Sequence, residues 1–167
     1  MPSFAEGVLT AALYLGVIGT LVRICWTDFF YLKIWNRDLT LLLGLTVTLL
    51  LVTWPGDLPL RLGLGAILFA LSFVFWLLGK LGAGDVKLFG IVGFLISPQH
   101  AMLLLVLIMA FVLVFVVLYR NAQNLRFVPQ LAGRRVLELV ETGRIPYGVP
   151  IALATIALIL PTVLIGR

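Results

Sequence analysis

The chain has 167 residues, of which 62% are hydrophobic and 11% charged, and its formal net charge is +5. That composition leaves too little polar surface for a water-soluble domain; it implies an integral membrane protein with room for about six or seven spans of roughly 20 residues and no sizeable soluble domain. A single cysteine, Cys25, excludes an intramolecular disulfide and a cysteine-built metal site, and the basic balance calls for no nucleic-acid partner because membrane topology accounts for it.

In chain order, the N-terminal "MPSFAEGV" lacks a basic leader and a small-residue cleavage site behind a short apolar core, so the first helix is expected to be retained. Apolar runs predict six spans, near residues 4–26, 39–54, 58–78, 86–97, 100–119 and 146–165. The expectation is an all-α, six-transmembrane helical bundle forming one domain over residues 1–167. Cys25, inside the first span, is read as a packing residue. Trp26, Trp35, Trp54, Trp76, Tyr119 and Tyr147 fall at or near span ends, where amphipathic rings prefer the headgroup region. "TWPGDLP" and "SPQH" read as tight turns, with His100 exposed in the second.

Lys and Arg concentrate in cytoplasmic loops. With both termini outside, Arg23, Lys33, Arg37, Lys80, Lys87, Arg120, Arg126, Arg134, Arg135 and Arg144 lie inside, and only Arg61 and Arg167 lie outside. The longest inner loop, 121–144, carries an apolar-basic alternation around "GRRVLELVE". It reads either as an amphipathic helix lying on the membrane and guiding substrate, or as an ordinary basic loop held by anionic headgroups. The fourth run is short: residues 86–97 cover roughly 18 Å at about 1.5 Å each, against a hydrocarbon core near 30 Å. Irregular backbone at such depth must be packed in protein or line a polar cavity.

Two acidic residues lie at inner helix ends with apolar flanks: Asp28 in "CWTDFFYLKIWN" and Asp85 in "GAGD". Ionisable groups in such positions are rare and usually functional. Both fall on the same membrane face in this topology, so a bundle could bring them together. Two carboxylates sharing a proton can divide the work of a hydrolase, one as base toward a water and the other, protonated, polarising a carbonyl. Such chemistry needs no metal or other cofactor. The other reading of the pair is two interfacial polar residues. Lys87, two residues from Asp85, points elsewhere on a regular helix and is read as charge-balancing or headgroup-binding. Asp38 reads as a helix N-terminal partner beside Arg37, and Glu138 and Glu141 as surface pairs in the inner loop.

"GAGDVK" (82–87) resembles the GxGD signature of the prepilin peptidases, and "TDFFYLKIWN" (27–36) resembles their first aspartate motif. "IPYGVPIA" (145–152) is similar to a stretch common in short members of the TadV/CpaA type, so the resemblance extends along essentially the whole chain. It implies a membrane aspartic endopeptidase that cuts the leader of type IV-like, Flp-type prepilins at the cytoplasmic face of the bacterial inner membrane. Asp28 and Asp85 become the catalytic pair; Gly82 and Gly84 become the motif backbone, with Lys87 in support. Larger relatives add a cysteine-bearing domain and a methyltransferase activity; nothing here matches it, and cleavage without N-methylation is expected. The chain departs from the family at Ile34-Trp35-Asn36, where Pro is common in the middle position; Trp35 offers an interfacial anchor instead.

The partners so implied are the prepilin, docking by its apolar helix, and the lipid bilayer; oligomeric state is left open. Rival functions are a small cation- or proton-coupled transporter, which the scarcity of polar residues beyond Thr46, Thr48 and Thr155 in the second, fifth and sixth spans disfavours, and a non-enzymatic pilus-assembly factor with the same fold. A presenilin-like intramembrane protease also uses GxGD, but the short length and "IPYGVPIA" favour prepilin cleavage.

Overall fold

The computed structural model describes residues 4–120 and 146–165. Six α-helices occur among them: α1 (Phe4–Tyr31), α2 (Asn36–Thr53), α3 (Leu58–Leu77), α4 (Ala83–Leu95), α5 (Ala101–Arg120) and α6 (Gly148–Ile165), with a 3₁₀ turn at Pro98–His100. No strand occurs among the described residues. The loop 121–144, with Glu138 and Glu141, lies outside them. Short connections make the first five helices alternate in direction. The C-terminal ends of α1 and α3 and the N-terminal ends of α2, α4 and α6 share one end of the bundle, called the aspartate end below.

Four helical stretches are long and apolar enough to cross a membrane: Ala5–Tyr31, Asn36–Thr53, Leu58–Leu77 and Pro98–Leu118. Their outward faces carry Leu15, Leu51, Phe75, Met102, Met109 and Leu113, all exposed. An apolar belt this continuous is stable only in lipid, so the chain is an integral membrane protein.

The bundle is organised around its shortest helix. At 13 residues, α4 rises only about 20 Å. It packs against α2, α3 and α6, while α1 lies against α2 and α6. Val86, Leu88, Ile91, Val92 and Leu95 of α4 are all buried, and Leu88 joins Leu21, Ile24, Leu42, Leu104 and Ile151 in a fully buried core. Protein therefore encloses α4, which removes the need for it to reach both headgroup layers. Small residues make the enclosure tight. A methyl on Gly65 of α3 would collide with the Phe94 ring and lie 2.9 Å from the Gly90 carbonyl oxygen, and one on Gly93 would lie 2.8 Å from the Gly65 nitrogen. The two backbones touch directly, the arrangement that small residues permit between helices in lipid.

At the far end, Arg61 on α3 donates to Asp57 Oδ1 at 2.7 Å and to the Leu95 carbonyl of α4 at 2.8 Å. Ser97 donates to Asp57 Oδ2 at 2.8 Å. This network satisfies a carbonyl in the last turn of α4, where no intrahelical donor remains. Within the bundle, Thr20, Ser72 and Thr155 donate to carbonyls of their own helices, the usual way a hydroxyl is accommodated in an apolar bundle.

Several predicted boundaries move. α1 runs to Tyr31 rather than 26, α2 begins at Asn36 rather than 39, and α4 begins at Ala83 rather than 86. All three shifts come at the aspartate end, where polar residues interrupt the apolar pattern without interrupting the helix. His100 is exposed, and half-buried Cys25 packs against the core, its thiol 3.7 Å from the Val149 carbonyl.

Candidate active site

Asp28 sits in the last turn of α1. The helix ends just beyond it because Leu32 takes a left-handed conformation, φ 51°, while its N–H still bonds the Asp28 carbonyl at 2.9 Å. A bulky residue at positive φ is costly, about 1–2 kcal/mol, so the turn is held by its surroundings. Lys33, Ile34 and Trp35 then bridge to α2, with the Lys33 ammonium 4.2 Å from the Trp35 ring centroid. The Trp35 carbonyl accepts from the N–H groups of Asp38 and Leu39 and so starts α2.

Asp85 occupies the first turn of α4. The chain leaves α3 through Gly79, whose φ of +68° suits only glycine without strain. Gly82 precedes the first helical residue, and its N–H donates to Asp85 Oδ2 at 3.1 Å. The carboxylate thereby caps its own helix, at the end where a negative charge is favoured. A methyl on Gly82 would stand 3.0 Å from that same oxygen, and one on Gly84 would stand 2.9 Å from Ile34 Cβ. The two motif glycines thus have different duties: Gly82 leaves room for the carboxylate, and Gly84 lets α4 approach the α1–α2 loop.

The fold brings Asp28 and Asp85 to the same end of the bundle, where the Ile34 side chain abuts both Gly84, next to Asp85, and Gly148, which lies against Asp28. Both are buried, with relative exposures of 5% and 8%. Asp28 Oδ2 has no hydrogen-bond partner among the described residues. The start of α6 lies against this carboxylate: a methyl on Gly148 would lie 2.8 Å from Asp28 Oδ2. The site thus draws on α1, α4 and α6, with Ile34 of the α1–α2 loop wedged among them.

Lys87 stands on the other side of α4. Its ammonium donates to Asn36 Oδ1 at 2.9 Å, at the mouth of a largely apolar groove of about 480 Å³ lined by Leu39, Leu43, Phe69 and Ile91 among others. It does not reach the aspartate pair. Asp38 is a third buried carboxylate, 2% exposed, with Oδ1 3.3 Å from Arg23 Nε and 3.5 Å from Arg37 Nε. The sequence pointed to its helix-terminal position and to Arg37, but not to the cross-helix partner on α1. Ile34 and Gly148 were missed as site neighbours, since neither side chain carries chemistry; the available signal was the "IPYGVP" motif.

The type IV leader peptidase family matches residues 15–118, more than half of the chain and including both aspartates, and the chain belongs to that family. The stretch 145–152 lies beyond the matched region. Searches among curated proteins and among solved structures return no match. Membership gives the general function of a prepilin-type leader peptidase, and with it the class of protein, a membrane-embedded protease.

Proposed function

We propose that the chain is an aspartic endopeptidase that removes the leader of type IV-like, Flp-type prepilins at the cytoplasmic face of the inner membrane, with Asp28 and Asp85 as its catalytic pair. The observation that carries this reading is the placement of two buried carboxylates from different helices at the same end of the bundle, linked through Ile34, which abuts Gly84 and Gly148. In this reading the pair works with one proton between them, since two neighbouring carboxylates cannot both ionise easily. The ionised member takes a proton from a water, whose oxygen attacks the scissile carbonyl carbon. The protonated member donates to the carbonyl oxygen, and collapse of the tetrahedral intermediate passes a proton to the leaving nitrogen.

The substrate must offer an extended peptide here, because helical carbonyls are already hydrogen-bonded. A glycine at the cut aids the unwinding. The pilin's apolar helix enters sideways from the lipid, which the exposed apolar faces of the bundle make accessible. Cleavage without N-methylation is part of the reading: the one cysteine, Cys25, packs inside the bundle near Val149.

Co-expression with a Flp-type prepilin tests it. Wild type is expected to shorten the pilin at its leader. Asp28→Asn and Asp85→Asn are expected to insert normally and to lose at least about 10²-fold in rate, the scale on which positioned proton transfer acts. Cleavage that survives either substitution contradicts the paired-carboxylate mechanism.

A further inference from the structure

Three features flagged separately in the sequence converge on one side chain. Ile34 lies in the α1–α2 loop, six residues after Asp28. On one side its Cβ stands 2.9 Å from where a Gly84 methyl would be, on the helix that carries Asp85. On the other side its Cδ1 stands 2.8 Å from where a Gly148 methyl would be, at the start of α6. Real Cβ atoms do not approach neighbours this closely, so neither glycine can gain a side chain without displacing something. The Gly148 position is doubly restricted, since the same methyl would also fall 2.8 Å from Asp28 Oδ2. That oxygen is buried and has no hydrogen-bond partner among the described residues.

We propose that Ile34 and Gly148 are positioning residues of the aspartate pair: Ile34, clamped between the glycines of α4 and α6, sets the spacing of the two helices, and the bare backbone of Gly148 seats the Asp28 carboxylate. The proposal rests on the reading of Asp28 and Asp85 as the catalytic pair. It gives "IPYGVP" a role that helix initiation alone does not: Pro146 and Tyr147 lead the chain in so that α6 begins at Gly148, against Asp28. A displacement of about 1 Å at a catalytic group can cost roughly 10²-fold in rate while substrate affinity is unchanged.

The test is steady-state cleavage of a purified prepilin by the full chain in detergent, comparing wild type, Ile34→Val, Gly148→Ala and the double variant, with Asp28→Asn as control and melting temperature as a parallel readout. Gly148→Ala is expected to lower kcat by about 10²-fold with KM within about threefold. Ile34→Val removes Cδ1, which frees one of the two contacts that the new methyl would violate. In the double variant melting is therefore expected to recover while kcat stays low, because Asp28 is still displaced. Recovery of kcat together with melting would make Gly148 a packing residue only and overturn the proposal, as would wild-type kcat in Gly148→Ala. Should Gly148→Ala fail to assemble, Ile34→Ala decides, since it adds no atoms: kcat lower by at least about tenfold at unchanged KM is expected, and wild-type kcat refutes the spacing role. Activity in Asp28→Asn would instead bring down the underlying catalytic reading, and is separately visible.

Discussion

At Trp35 the backbone has φ −77° and ψ 137°, close to what a proline ring imposes. Its N–H makes no backbone hydrogen bond among the described residues. Trp35 thus holds a backbone conformation that proline would also adopt, and its ring has the Lys33 ammonium as a neighbour. Trp35→Pro should lose about 0.5–1 kcal/mol of exposed cation–π contact and recover about 0.4–1 kcal/mol by restricting the unfolded chain. The expected outcome is a melting temperature near wild type and undiminished prepilin cleavage; loss of cleavage would show that the indole does more than occupy a proline-like turn. The residue scale also shows where a linear pattern stops informing. "GAGD" announced a carboxylate at a turn, and Asp85 indeed caps α4 through the Gly82 N–H. Nothing in the spelling of Ile34 announced that its side chain would lie between two glycines more than sixty residues apart in sequence.

Among the helices, α4 depends most on its neighbours. Its apolar content is spread around much of its circumference, so its burial comes from α2, α3 and α6 together rather than from one stripe. Gly93→Ala places a methyl against the Gly65 backbone, and overpacking of this kind costs about 1–3 kcal/mol. A lowered melting temperature in detergent is expected, and an unchanged one would mean that α3 and α4 separate more easily than their contact implies. The far end of α4 is expected to respond to pH. The hydrogen bond from Arg61, reinforced by Ser97, holds the Asp57 carboxyl below the ordinary carboxylate range. A lowered folded-state value contributes stability that is present above the unfolded value, about 3.9, and is lost as pH falls through the folded one. Melting followed downward from about pH 5 should therefore show an acid-dependent loss that Asp57→Asn lacks. An identical acid profile in that variant would remove Asp57 as its source.

For the whole molecule, the proposed orientation predicts which end faces which compartment. With the native cysteine replaced in Cys25→Ser, a membrane-impermeant thiol reagent added to intact cells should label His100→Cys, at the far end, but not Lys80→Cys, near the aspartates. The reverse pattern would place the aspartate pair outside and exclude cutting at the cytoplasmic face. The all-α membrane architecture was legible in the sequence because lipid demands long apolar runs with their backbone bonded internally, and such runs need no tertiary information to recognise. The motif aspartates were legible for a related reason: a charge beside an apolar span is conspicuous. Tertiary structure decided what those residues face. It set Asp28 against the start of α6, turned Lys87 toward Asn36 and away from the pair, and paired Asp38 with Arg23 across two helices. Contacts of this kind follow from how closely helices approach and from small residues whose only signature is missing volume, and both come into being only when the chain is packed.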